Sequence, residues 1–493
     1  MVPTSRIRLV NNEPMRASRA LVLYWMTAAR RARANFGLEQ AVSHARRLRK
    51  PLIVLEALRL NHRWASARFH QFVLEGMHDN HAAFAGKPGV TYFPYLEPHA
   101  GAGRGLLSAL AADAAVVVTD DFPSFFLPAM LEAAGRRLDV RLEAVDSNGL
   151  LPLRAAKTVF PSAHAFRRML QKELPAHLKE RPQPDPLAEP LDVPGWQTPA
   201  AVAERWPDAL TWLAGGGSVD QLAIDQQVRG GALRGGSMAA HARLATFVDR
   251  DLTAYGDHRN VPDRDITSRL SPYLHWGHLG SHEIFDRLMT REGWLGDLPT
   301  KATGSRDGWW GVSPSADGFL DEFVTWRELG YNMAWQRPDF TDYSSLPQWA
   351  RETLDRHEAD PREHLYTLEE FERSATHDPL WNAAQRQLVR EGRIHNYLRM
   401  LWGKKVLQWT ASPNEALAVM IELNNKYALD GRNPNSYTGI FWVLGRYDRP
   451  WFPERPVFGT VRYMTSENTA RKVRVKEYMQ RYSTEGSLFA DPV

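Results

Sequence analysis

ALVLYWM, residues 20–26, is an unbroken apolar run of strand length. Runs of this kind belong to strands buried on both faces of a parallel sheet, where no polar alternation is required. Outward from it the chain keeps a strand and helix rhythm. A helical pattern at 35–48 leads to a second apolar run at 51–56, then helix 69–85, strand 90–95, helix 105–112, strand 115–119, helix 125–135 and strand 140–145. Five strands alternating with helices predict an α/β domain over residues 1–151, a doubly wound parallel five-stranded sheet with right-handed crossovers. The segment GAGRG, 101–105, precedes a helix but does not complete GxGxxG, so it reads as a loop and not as a dinucleotide site.

From Pro152 the texture changes. Pro161, Pro175, Pro182, Pro184, Pro186, Pro190, Pro194 and Pro199, followed by glycine clusters at 215–217, 230–231 and 235–236, mark a connector over 152–236. Helical periodicity then dominates, clearest at 241–255, 278–290, 318–335, 378–390, 395–409 and 413–427, and predicts an all-α C-terminal domain over 237–493. Residues 301–318, KATGSRDGWWGVSPSADG, interrupt that pattern with glycines and serines around paired tryptophans and read as a surface insertion.

A chain of 493 residues has the material for two domains and a large buried ligand. The absence of cysteine excludes disulfides, thiolate metal sites and cysteine nucleophiles, and no metal is implied. The first residues lack the apolar core of a signal peptide, and no stretch approaches the ~18 apolar residues of a membrane span, so a soluble cytoplasmic protein is expected, on the nucleoid in a bacterial cell. Net charge is only +4, but residues 446–482 carry nine Lys or Arg against four Asp or Glu. A polyanion is the natural partner of such a surface. The arginine-rich first sixty residues, twelve basic against three acidic, read instead as solvated helix faces.

Several constellations carry chemistry. TSRLSPYLHWG, 267–277, sets Thr267, Ser268, Arg269, Leu270 and Ser271 ahead of Pro272 at a helix start, either an anion cradle or plain N-capping by Ser271. In FLDEFVTWREL, 319–329, Glu322 and Trp326 are four apart, hence on one helix face, either a polar and aromatic ligand surface or one side of an amphipathic helix. RIHNYLRMLWGKKVLQW, 393–409, places Asn396, Arg399, Met400 and Trp402 within two turns, with Trp409 seven residues on, ~10 Å along the axis. Indoles so spaced either pack a core or pass electrons stepwise. NNKYALDGRNPN, 424–435, supplies Asp430, a candidate partner for Arg399 beside a ligand, together with Asn424 and Asn435.

Taken together these motifs resemble the photolyase and cryptochrome family, specifically the class II cyclobutane pyrimidine dimer DNA photolyases. TSRLSPYLxxG is similar to the family's flavin-phosphate motif, and the likeness runs from Tyr24 to Tyr478. The resemblance implies FAD, active in its reduced anionic form, in an FAD-binding C-terminal domain. It assigns Tyr255 and Arg327 to the phosphates alongside 267–271, and Asn396, Arg399, Asn424, Asp430 and Asn435 to the flavin. Glu322, Trp326 and Met400 would meet the pyrimidine dimer, with Asn424 facing flavin N5. Trp402, Trp381 in HDPLWNAAQRQL, and Trp409 would form, in that order from the flavin, the electron-transfer chain. Arg259, Asn260 and Trp442 would bind the lesion, Asp448 and Arg449 enter the hole it leaves, and Trp451 and Arg462 support them.

The implied activity is light-driven electron transfer from excited reduced FAD to a dimer flipped out of double-stranded DNA, by a monomer. The family's antenna chromophore, a deazaflavin or a folate, would belong to the N-terminal sheet, where no ligand motif identifies it. Two departures stand out: Asn433 where the family has Asp in DGRDPN, and Phe452 with Pro453 beside Trp451 where a Gly is usual. The rival readings are a cryptochrome-like blue-light sensor, whose long tail is not expected since few residues follow Tyr482, and a DNA-binding module without catalysis.

Overall fold

The computed structural model describes residues 1–483 and divides into two compact units. The first comprises Met1–Lys157, Glu173–Thr246 and Arg269–Arg291; the second comprises Thr158–Lys172, Phe247–Ser268 and the chain from Glu292 onward. These bounds differ from the expected division at 151 and 237. Much of the proline-rich connector is not a spacer. Trp206 is buried in the sheet's core and donates its indole N–H to the Ala102 carbonyl at 3.0 Å, while Leu187 and Leu191 are buried against the other face.

The first unit is built on strands β1 Ile7–Leu9, β2 Leu21–Met26, β3 Leu52–Leu58, β4 Val90–Leu96, β5 Ala114–Asp120 and β6 Leu142–Val145, in the order β1-β6-β5-β2-β3-β4. Five of them run parallel as expected. The sixth, β1, corrects the five-stranded expectation: it pairs antiparallel with β6, Ile7 opposite Val145, and makes the sheet mixed. Three residues with Arg at the centre carry no apolar run by which such an edge strand is recognised. Along β2, alternate side chains feed two cores. Leu21, Leu23 and Trp25 pack with Leu106 and Leu110 of α3 (Leu106–Ala111) and Leu131 of α4 (Leu127–Arg137). Val22, Tyr24 and Met26 pack with Phe36, Leu38 and Val42 of α1 (Phe36–Leu48). GAGRG is indeed a loop, and its amides are taken: Glu97 Oε1 accepts the N–H groups of Gly101 and Gly103 at 2.8 and 3.2 Å.

Among the described residues the second unit contains no strand. Four of its helices begin with the same device, a capping side chain followed by proline in the first turn, and Ser313 caps the first of them, Pro314–Leu320. Asp378 caps Pro379–Glu391, Ser412 caps Pro413–Tyr427 and Asn433 caps Pro434–Val443. The helix Asn396–Trp409 is buried on nearly every side, which fits its lack of a polar face. Gly403 allows that burial, because a Cβ there would collide with Val443 and Met420 of neighbouring helices.

Two expected helices, 241–255 and 318–335, are interrupted. Phe247–Asp251 and Asp321–Trp326 are π-helical turns joining shorter α segments, a feature that hydrophobic periodicity does not reveal. The 301–318 segment is exposed at positions including 301, 303, 305–308 and 311, as a surface insertion would be, but it is anchored at its tryptophans. Trp309 and Trp310 are buried, their rings 4.6 Å apart, and Gln171 holds the loop by accepting the Gly304 N–H at 2.7 Å and donating to the Ser305 carbonyl at 2.9 Å. No helix of the described residues is long and apolar enough to cross a membrane.

Candidate active site

Within the π-helical turn Asp321–Trp326, the side chains of Asp321, Phe323, Val324 and Thr325 are buried, and only Glu322 and Trp326 are half-exposed. The spacing of four therefore does put carboxyl and indole on one accessible face. Arg259 Nη1 donates to Glu322 Oε1 at 3.0 Å and also reaches the Gly318 carbonyl. Crowding pushes the Glu322 carboxyl above its usual range, with Arg259 opposing, although 37 % of the side chain is still reached by solvent. Beneath them Tyr255 is buried, its phenol pushed up to about 12 by burial and then by the Glu322 charge. Trp326 meets Tyr447 edge to face at 6.5 Å. Asn260 is exposed and does not join this group.

Arg399 and Asp430 approach to 3.6 Å, as the sequence suggested, though too far for a hydrogen bond. Asp430 Oδ1 is buried and accepts nothing from the described residues. A buried carboxylate oxygen without a donor is costly, so this edge is shaped for a ligand group. Asn424 is buried and donates to Ser436 Oγ at 2.6 Å; Asn396 is exposed at the helix start; Met400 and Asn435 are half-buried. The Asn433 departure has a simple role. Its Oδ1 accepts the Asn435 N–H at 3.0 Å as a helix cap, which Asp would do equally, and its amide donates to Tyr331 Oη at 3.1 Å.

The three tryptophans are in contact in the expected order. Trp381 lies parallel to Trp402 at 6.4 Å between ring centres and meets Trp409 at 6.0 Å, and all three are buried. Trp381 donates its indole N–H to the Trp402 carbonyl at 3.0 Å, and Trp402 donates to Gln385 Oε1 at 2.9 Å. Trp409 ends the row beside the exposed His377, 5.0 Å away.

Asp448 organises the basic loop. It receives Arg462 Nε at 2.8 Å and Nη2 at 3.1 Å, the Trp451 indole N–H at 3.2 Å and the Arg449 backbone N–H at 2.9 Å. Burial alone would raise its pKa, but these donors outweigh it and the value falls below the usual one. Trp451 is flanked by two guanidiniums, Arg462 at 3.9 Å and Arg449 at 4.7 Å from its ring centre. Two cations approach the Trp442 ring, Arg462 at 5.6 Å and Lys404 at 5.0 Å from its centre.

The phosphate motif departs from one reading. Ser271 does not cap the short helix Ser271–Trp276; it is its first residue, and no side-chain cap bond forms there. Thr267 and Ser268 belong to the second unit, whereas Arg269, Leu270 and Ser271 fall in the first, with Arg269 in the left-handed region at φ 54°. Arg327 is buried with its guanidinium 4.5 Å from the Tyr331 ring.

This geometry has relatives. The chain is 32 % identical over 482 residues to the deoxyribodipyrimidine photo-lyase of Methanothermobacter thermautotrophicus, covering 98 % of each protein. The chain belongs to the deoxyribodipyrimidine photo-lyase family. It is thus an enzyme, a lyase of a flavoprotein family that repairs DNA with light. The photo-lyase of Oryza sativa subsp. japonica is 33 % identical over 474 residues, 93 % of this chain and 86 % of that protein. The crystal structure of a bacterial class III photolyase from Agrobacterium tumefaciens shares the fold, with a TM-score of 0.64 at 16 % identity, over 94 % of this chain and 86 % of that one. No protein-family model matches.

Sequence reading missed two groups beside the photolyase motifs. Lys404 is fully buried under Trp442, its ammonium donating to the Val443 carbonyl at 2.5 Å and its pKa pushed down to about 7 by burial. Asp265 takes both terminal nitrogens of Arg393, at 3.0 and 2.6 Å, just ahead of the tryptophan helix. The signal for Lys404 was the Lys pair in WGKKVLQW, charge placed in an otherwise apolar helix.

Proposed function

We propose that the chain is a class II cyclobutane pyrimidine dimer photolyase, binding duplex DNA, drawing the dimer out of the stack and splitting it in light. The observation that carries this reading is the Glu322 and Trp326 pair, the accessible side chains of an otherwise buried π-helical turn. Glu322 offers a carboxyl edge to the hydrogen-bonding atoms of the dimer's 5′ base, and Arg259 keeps it oriented. Trp326 and Trp442 offer flat surfaces on either part of the lesion, and Met400 an adaptable one.

The residues suit FAD, whose flavin, reduced and excited by light, supplies the electron that opens the cyclobutane ring and takes it back. Asp430 and Arg399 would hold the polar edge of that ring system, the unpartnered Asp430 oxygen accepting a proton-bearing nitrogen. Asn396, Asn424 and Asn435 would complete its hydrogen bonds, and Tyr255, Thr267, Ser268 and Arg327 are the second unit's candidates for the phosphates. The contact order of Trp402, Trp381 and Trp409 supports their role as a conduit that brings the cofactor to its reduced state. Asp448 and Arg449 fit the opened stack and its phosphates, with Trp451 and Arg462 supporting them.

In the first unit, Trp64 stacks on Phe125 at 6.0 Å and Phe125 lies 4.5 Å from Phe126, an aromatic group suited to a flat antenna chromophore. Ultraviolet-irradiated DNA carrying both lesion types tests the assignment. Under blue light the flavin-loaded protein should remove cyclobutane dimers and leave (6-4) photoproducts, and Glu322→Ala should lose that activity while keeping its flavin. Unchanged dimers beside a bound flavin would favour the light-sensor reading.

A further inference from the structure

Phe452 is 78 % exposed and Trp451 beside it 36 %, and no other phenylalanine or tryptophan of the described residues is exposed. Burial of an aromatic ring is strongly favourable, so a phenyl ring left in water beside a partly covered indole at the tip of a loop points to a partner. The loop is held in shape. Trp451 N–H donates to the Thr460 carbonyl at 2.8 Å, Arg455 and Gly459 exchange backbone hydrogen bonds at 3.0 and 2.7 Å, and Pro450 and Pro453 restrict the chain on either side. Around the tip stand Arg449, Arg455 and Arg462 with two acids, Asp448, which is bonded to Arg462, and Glu454, which is engaged by Arg356 at 2.9 Å and His357 at 3.3 Å. A basic collar around an aromatic tip matches a nucleic acid: phosphates for the guanidiniums, a base face for the ring.

We infer that Phe452 is a positioning residue that stacks on the base left without a partner in the complementary strand when the dimer is drawn out. This inference rests on the photolyase reading above and deepens it. Trp451 is engaged by Asp448 and by two arginines, which leaves Phe452 as the ring free to enter the stack. A phenyl ring offers no hydrogen bond, so it accepts any base opposite the lesion, as a repair enzyme for both thymine and cytosine dimers requires. Its contribution exists only where a complementary strand exists. That dependence separates it from residues that touch the dimer.

The test uses flavin-loaded full-length protein, wild type against Phe452→Ala and Phe452→Trp, with one defined thymine dimer presented in duplex and in single-stranded oligonucleotides. Phe452→Ala should bind the dimer duplex about tenfold more weakly, the scale of one base stacked on an aromatic ring, and the single-stranded dimer with unchanged affinity. Phe452→Trp should retain duplex binding. With 2-aminopurine opposite the lesion, wild-type protein should quench its fluorescence on binding and Phe452→Ala should not. Unchanged flavin absorbance and photoreduction in both variants exclude misfolding. An equal loss on duplex and single strand, or no loss on either, overturns the inference. A wild-type protein that shows no preference for the dimer in either form would instead remove the photolyase reading on which it stands.

Discussion

Asp448→Asn is the substitution whose consequence the structure specifies in most detail. The side chain faces Arg462 through both oxygens, at 2.8 and 3.1 Å, and replacing one oxygen by NH2 sets donor against donor at one of those contacts in either rotamer. The same carboxylate accepts the Trp451 indole and the Arg449 N–H, so the change loosens three loop residues together. A hydrogen bond to a charged group contributes about 1.5–3 kcal/mol. Arg462 keeps 36 % of its side chain exposed, and screening reduces the whole clamp to about 1–2 kcal/mol. At about 1.4 kcal/mol per tenfold, a dimer-containing duplex should bind roughly 5- to 30-fold more weakly.

Stability should also fall, by about 2–4 °C of melting temperature per kcal/mol for a unit of this size. Fluorescence anisotropy with a labelled single-dimer duplex, read beside thermal unfolding and flavin photoreduction, measures all three. Photoreduction should be untouched. A variant that melts early yet binds the duplex as well as wild type would refute the reasoning, since the clamp would then serve the fold and not the DNA.

Trp381→Phe removes the ring that touches both other tryptophans; photoreduction of the flavin should be abolished while dimer repair by chemically reduced protein persists, and loss of both would contradict the conduit. Lys404 has its pKa pushed down to about 7 from an ordinary 10.5, so between those values the unfolded chain holds a proton that the folded one lacks and stability rises with pH. Urea unfolding at several pH values in that window should show wild type gaining on Lys404→Met by up to ~1.4 kcal/mol per pH unit, whereas parallel profiles would mean the buried amine stays charged. At the cap of Pro434–Val443, Asn433→Ala should cost about 1 kcal/mol in denaturant unfolding and Asn433→Asp much less, whereas an Asp cost as large as that of Ala would mean that the Tyr331 contact outweighs the cap.

The parallel sheet was legible because strands such as 21–26 and 114–120 are buried on both faces and so are written as continuous apolar runs. β1 was not, since a three-residue edge strand owes its place to pairing with β6 and not to its own pattern. The packing of the proline-rich connector was not legible for a related reason: prolines mark where helices stop, but it is scattered residues such as Trp206 and Leu191 that seat a segment in a core. At the site, spacing offered only Trp402 and Trp409, seven apart, and it was the family resemblance that implied Trp381 between them. What spacing could not show is that Glu322 and Trp326 lie on a π-helical turn, or that Asp448 gathers four donors from Arg449, Trp451 and Arg462, because both depend on how the backbone turns locally and not on a periodic pattern.

A stoichiometric complex of the protein, its flavin chemically reduced, with a duplex carrying one thymine dimer puts the whole account to the test. Illumination under anaerobic conditions should restore the thymine absorbance lost on dimerisation, with no change in a matched sample kept dark. A dimer that survives light although reduced flavin is bound and the duplex is held would contradict it.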